Sequence, residues 1–126
     1  MKNYYKNKIQ FVQNFIMDNL AMEHSLESLA QIAALSPYHF HRIFSSLTGE
    51  GVKSYIRRVR LEKSAHRLIY SDQSVLDIAL ITGFESHAGF TRAFKKQFGA
   101  SPTEFRKNKI ELHIEFVKQQ TDLGGL

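Results

Sequence analysis

Two arginines in this chain are placed where an arginine can do selective chemistry. Arg42 lies in Phe40-x-Arg42-x-Phe44 and Arg92 in Phe90-x-Arg92-x-Phe94. A guanidinium offers a rigid fork of donors. Pointed into a DNA major groove, it can bond O6 and N7 of guanine together, worth about 1–3 kcal/mol of discrimination between bases. The flanking phenylalanines turn to the opposite side of a helix, since successive residues advance by about 100°. In the first segment Phe40, Ile43, Phe44 and Leu47 share one face. Tyr38, Arg42 and Ser45 lie opposite, with His41 and Ser46 at the margins. In the second, Phe90, Ala93, Phe94 and Phe98 face inward. Ala88, Arg92 and Lys95 face outward, beside Thr91 and Lys96. An anchored aromatic side and a free polar side are what a helix needs to read base edges. Taken alone, either helix could equally be an ordinary solvated surface.

Other chemistries find little support. The 126 residues contain no cysteine, which removes disulfides, thiolate metal sites and thiol catalysis together. There are six histidines. His39 and His41 would project about 200° apart on a helix, and His24, His66, His87 and His113 show no ligand spacing. No glycine-rich phosphate loop, nucleophile elbow or paired-carboxylate motif occurs. We expect no enzyme activity, no cofactor and no metal.

Charge supports an anionic partner. The net charge is +5 and the isoelectric point about 9.6. Counted by segment, residues 1–110 carry a net +7 and residues 111–126 a net −2. No apolar run approaches membrane length, so no membrane partner is expected. The N-terminus is too polar for a signal peptide. The alternative reading of a basic helical body is a protein-interaction module whose basic surface meets an acidic protein or membrane.

The elements that must hold these residues are helices. Ile9, Val12, Phe15, Ile16 and Leu20 form an apolar stripe. Ser25 caps a short helix that turns Leu26, Leu29, Ala30 and Ala33 inward. Ser36-Pro37 is an N-cap followed by proline at the first helical position, and Gly49 ends that helix. A long helix from about Val52 to Tyr70 follows, with Val52, Tyr55, Ile56, Val59, Ala65, Leu68 and Ile69 in helical register. The short pattern then returns. Ser74-Val75-Leu76-Asp77 resembles a capping box, Ile78, Ala79 and Ile81 face in, and Gly83 is a turn. Ser86 opens the helix that Gly99 ends, and Ser101-Pro102-Thr103-Glu104 is a further capping box.

The chain therefore repeats itself. Leu29-Ala30 matches Ile78-Ala79 at an offset of 49. Phe40, Arg42, Phe44, Gly49 and Tyr55 match Phe90, Arg92, Phe94, Gly99 and Phe105 at an offset of 50. The slip of one residue falls in the turn. Each copy is a short helix, a tight turn and a second helix, the helix-turn-helix pattern. About 18 residues of connecting helix span about 27 Å, near the roughly 34 Å between major-groove openings on one DNA face. Lys53 and Arg57, at the start of that helix, are the strongest of its cations for phosphate contact. Ser36, Ser45, Lys95 and Lys96 complete the phosphate candidates.

These motifs resemble the DNA-binding domain of the AraC/XylS family of bacterial regulators over about residues 8–107. The stretch Ala79-x-x-x-Gly83-Phe84, Phe90-x-Arg92-x-Phe94-Lys95, Phe98-Gly99-x-Ser101-Pro102-x-x-Phe105-Arg106 is its most specific part. The resemblance implies an all-α fold of seven helices, with two three-helix helix-turn-helix subdomains joined by the long helix. The boundaries follow as 1–70 for the first subdomain with its linker, 71–107 for the second and 108–126 for a tail. It implies base-reading positions at Tyr38, His41 and Arg42, and at His87, Ala88, Thr91 and Arg92. It implies a cytoplasmic, nucleoid-bound activator that contacts double-stranded promoter DNA and RNA polymerase. Two features depart from the pattern. Ala88 and Gly89 present almost no side chain where such proteins often carry polar groups, so the second helix should read shape, thymine methyls and phosphates more than hydrogen-bond patterns. Phe105 stands where tyrosine is usual. In the tail, Ile110, Leu112, Ile114 and Phe116 alternate with polar residues. This resembles the first strand of a C-terminal effector domain, cut short; a native short tail, or a terminal helix through Ile110, Ile114 and Val117, are the alternatives.

Overall fold

A computed structural model describes residues 2–109, and every regular element among them is an α-helix. In chain order these are α1 (Lys2–Asp18), α2 (Leu26–Ile32), α3 (Pro37–Thr48), α4 (Val52–Tyr70), α5 (Val75–Ile81), α6 (His87–Phe98) and α7 (residues 102–109). The expectations for residues 110–126 lie outside the described residues.

The helix boundaries follow from local chemistry. Serine side chains accept the otherwise orphaned backbone N–H groups of the first turns. Ser36 Oγ accepts from His39 N–H at 3.2 Å, Ser74 Oγ from Asp77 at 3.0 Å, Ser86 Oγ from Gly89 at 3.0 Å and Ser101 Oγ from Glu104 at 3.2 Å. At α2 the bond is reciprocal, because the Ser25 N–H also donates to Ser28 Oγ. Helices α3 and α6 both stop at a glycine in the left-handed region, Gly49 at φ 82° and Gly99 at φ 79°.

The chain divides into two compact units between Arg60 and Leu61, inside α4. In the first, Ile9, Val12 and Ile16 of α1 pack with Leu29 and Ala30 of α2, Phe40 and Phe44 of α3, and Val52, Tyr55, Ile56 and Val59 of α4. In the second, Leu61, Ala65 and Leu68 of α4 pack with Ile78 and Ala79, with Phe90, Ala93 and Phe94, and with Phe105 of α7. The aromatic contacts repeat as well. Phe44 meets Tyr55 edge-on at 5.3 Å, and Phe94 meets Phe105 edge-on at 5.1 Å.

Four side chains differ from the periodicity reading. Leu47 is 50% exposed, on the lip of an open groove lined also by Lys6, Gln10 and Tyr55. Its counterpart in the second copy is Gln97, so the position points outward in both. Ile81 is 38% exposed, and Thr82 takes its place in the core. The Thr82 hydroxyl can be buried because it donates to the Ile78 carbonyl at 2.6 Å. Leu61, absent from the sequence-derived stripe, is a core residue.

The turns inside the two copies have the same hydrogen bonds. Ala34 N–H donates to Gln31 O and Leu35 N–H to Ala30 O; Gly83 N–H donates to Leu80 O and Phe84 N–H to Ala79 O. This places one residue per turn in the left-handed region, Ala34 at φ 56° and Gly83 at φ 102°. The extra residue of the second turn is Glu85, which is exposed. Alanine resists this conformation by about 1–2 kcal/mol, part of which glycine gives back as chain entropy. Ala34→Gly is therefore expected to stabilise the first unit by roughly 0.5–1 kcal/mol. A denaturant titration checks it, and a variant less stable than the wild type would contradict the strain assigned to Ala34.

Candidate nucleic-acid interface

The outward face of α3 begins at its capped N-terminus. Tyr38 is 71% exposed, and His41, Arg42 and Ser46 are exposed with it, while Ser45 is half-buried. Arg42 lies over the Tyr38 ring at 5.8 Å and donates from Nη1 to Tyr38 Oη at 3.4 Å. The two residues are four apart, so they stack on one helix face. The ring limits the wandering of the guanidinium and holds it near the outer surface. His39 turns the other way, packing edge-on against Tyr5 of α1 at 5.4 Å. Ser36 uses an oxygen lone pair for the cap, which leaves its hydroxyl hydrogen to donate.

On α6, His87, Ala88, Arg92, Lys95 and Lys96 are exposed and Thr91 is half-buried. The Thr91 hydroxyl oxygen is shut off from solvent and has no hydrogen-bond partner among the described residues. What its side chain offers outward is carbon. Arg92 occupies the place of Arg42, but Ala88 replaces the tyrosine ring. Lys95 and Lys96 sit in the last turn of α6, where a cation also suits the helix dipole.

The cations of α4 separate into two groups. Arg58 grips Glu50 through Nε at 2.9 Å and Nη2 at 2.6 Å. That bond, more than any other influence, holds the Glu50 carboxyl below its ordinary range. Arg60 donates to the Leu20 carbonyl at 3.0 Å and the Met22 carbonyl at 2.9 Å, tying the segment that follows α1 to α4. Arg67 donates to Gln73 Oε1 at 3.0 Å. Lys53, Arg57 and Lys63 are exposed and make no described hydrogen bond; Lys53 and Arg57, near the start of the helix, are the ones expected to meet a phosphate.

Sequence reasoning missed Arg106. Its Nε donates to Leu68 O at 2.8 Å, and its Nη2 donates to Ser71 O at 3.3 Å and Gln73 O at 2.7 Å. A guanidinium from α7 thus satisfies carbonyls at and beyond the end of α4. The only signal available was its place beside Phe105 in the resemblance. Among the described residues, no group of His, Asp or Glu is placed to hold a metal ion, and no helix is long and apolar enough to cross a membrane.

The arrangement is two copies of a capped helix, each with an arginine on its free face, within a basic chain. Comparison with known proteins agrees with it. A family model described as a helix-turn-helix domain matches residues 29–108. The probable transcription factor PqrA of Proteus vulgaris is 42% identical over 83 residues, covering 66% of this chain and 68% of that protein. The uncharacterized HTH-type transcriptional regulator YbfP of Bacillus subtilis is 41% identical over 103 residues, covering 82% of this chain; the chain spans only 35% of YbfP. Among solved structures, the DNA-binding domain of the global transcriptional factor AdpA, in complex with a target DNA, superposes with a TM-score of 0.76 at 30% identity. That match covers 79% of this chain and 90% of the other. The chain belongs to the AraC-type helix-turn-helix family of DNA-binding transcriptional regulators.

Proposed function

We propose that the chain reads double-stranded promoter DNA through α3 and α6, each lying in a major groove. Arg42 and Arg92 contact guanines, and Tyr38, His41, His87, Ala88 and Thr91 contact neighbouring base edges. Ser36, Ser45, Lys53, Arg57, Lys95 and Lys96 contact phosphates. The observation that carries this reading is the repeated capped helix with an exposed arginine at the same place in both copies. The two reading faces are chemically unlike, so the site they select is non-palindromic and one protein copy fills it. An activating contact with RNA polymerase, and an effector domain outside residues 1–109, belong to the same proposal. So does action at the bacterial nucleoid.

Selection of bound genomic fragments in excess nonspecific DNA tests this reading. The expected result is a small set of fragments sharing an asymmetric motif. A protein-interaction module would show no sequence preference.

The lysines of α6 allow a separate test, because their dipole role and their phosphate role have different readouts. A phosphate contact releases counterions, so affinity falls with salt by a slope set by the number of contacts. Lys95→Ala and Lys96→Ala are each expected to weaken all DNA sequences alike and to make the log–log salt slope shallower by about 1. Lysines serving only the helix dipole would leave the slope unchanged.

A further inference from the structure

The two reading helices carry different chemistry at equivalent places, and the difference is concentrated at the start of α6. Ala88 stands where α3 has Tyr38, Gly89 where it has His39, and Thr91 where it has His41. Three large polar side chains are thereby replaced by a methyl group, a hydrogen and the small hydroxyethyl group of Thr91. The fold does not require this. A Cβ added at Gly89 would meet only the Ser86 hydroxyl, at a tight 3.1 Å that a shift of a few tenths of an ångström relieves. In the first copy His39 carries a Cβ at that place while Ser36 makes the same cap. The missing side chain leaves the first turn of α6 slender, so its backbone can come close to a base edge.

The surface this exposes is apolar. Ala88 is exposed, and the Thr91 hydroxyl is buried without a partner, so carbon is what both side chains turn outward. Residues 88, 91 and 92 are three and four apart and share one face. Two methyl groups therefore share the helix face from which Arg92 projects. In a major groove the one apolar feature of a base pair is the C5 methyl of thymine, and alanine and the threonine methyl are among the groups that contact it.

We propose that α6 recognises a pyrimidine 5-methyl group with Ala88 and Thr91, next to the guanine contacted by Arg92. Thymine supplies that methyl, and so does 5-methylcytosine, so binding responds to cytosine methylation at this one position. The proposal rests on α6 lying in the major groove, as argued above.

The test uses the duplex recovered by selection from a random library, with one atom group changed at a time. Deoxyuridine removes only the methyl of thymine. One thymine in the α6 segment is expected to lose about four-fold in affinity when so replaced, the scale of one buried methyl. At the same position, 5-methylcytosine is expected to bind about four-fold tighter than cytosine. Thr91→Val keeps the methyl and deletes the hydroxyl, and should preserve both ratios. Ala88→Gly combined with Thr91→Ser should bring both ratios near one. A uniform response across the deoxyuridine scan would overturn the proposal, and so would loss of discrimination in Thr91→Val. Replacing guanines by 7-deazaguanine separates the two levels. If that substitution weakens binding in the α6 segment while deoxyuridine does not, methyl recognition fails and groove reading stands. If neither has an effect there, both fail.

Discussion

Arg42→Ala is expected to weaken binding to a selected site by about 1–3 kcal/mol and to relax the preference at one or two base pairs. Arg92→Ala should do the same at different base pairs. The size follows from what is left behind. A guanine edge keeps two acceptors that have lost a charged, two-pronged donor, and water in a confined groove replaces them poorly. The effect should be confined to sequence. Nonspecific DNA should lose only the general electrostatic share of one cation, because phosphates do not distinguish bases. The two arginines should also differ in kind. Arg42 is steadied by Tyr38, so Tyr38→Ala should weaken guanine discrimination in the first segment. Arg92 has alanine at the corresponding place and no such support to lose. Competition titrations with single-base variants of the site measure all three effects. Wild-type affinity and preference in both arginine variants would show that other surfaces touch the bases.

The second large effect is on stability. Arg106 serves the carbonyls of Leu68, Ser71 and Gln73 with one guanidinium. Leu68 lies in the last turn of α4, where helix carbonyls have no partner within the helix. Hydrogen bonds from charged groups contribute about 1.5–3 kcal/mol, and removing the donor leaves acceptors half-buried without a partner. Arg106→Ala is therefore expected to destabilise the second unit by about 1.5–3 kcal/mol. Arg106→Lys should recover little, since an ammonium is a point donor and cannot fork to separate carbonyls. The loss should be local. Amide exchange should speed up in α5, α6 and α7, while α2 and α3 keep their protection. Equal acceleration in both units, or none, would show that Arg106 is not the staple of the second unit.

The helices and their ends were legible because short-range chemistry sets them. Serine caps, Pro37 and the glycines at 49 and 99 act within four residues of themselves, and each stands where expected, although the reciprocal bond of a capping box forms at Ser25 and Ser28 and only the serine's half of it at Ser74 and Ser101. The repeat was legible for the same reason, down to the slipped residue, which is Glu85. Placement within the stripes was less so. A 3.6-residue period identifies a face but not its centre, and Leu47 and Ile81 lie on the edges of theirs. Comparing the copies position by position would have corrected Leu47, whose counterpart is Gln97. The polar staples were illegible. Arg60 and Arg106 each reach a carbonyl 38 or more residues away, and an arginine looks the same in a sequence whether it caps a helix or meets a phosphate. The buried hydroxyl of Thr91 was equally hidden, because it depends on a side-chain rotation and not on spacing.

The central claim is that two equivalent arginines on two repeated helices read two separate groove segments. Methylation protection at guanine N7, an atom that lies in the major groove, tests it most directly on a selected duplex. Wild-type protein should shield guanines in two distinct segments. Arg42→Ala should uncover guanine in one segment alone, and Arg92→Ala in the other alone. An identical pattern for all three proteins, or shielding in a single segment, would contradict the account.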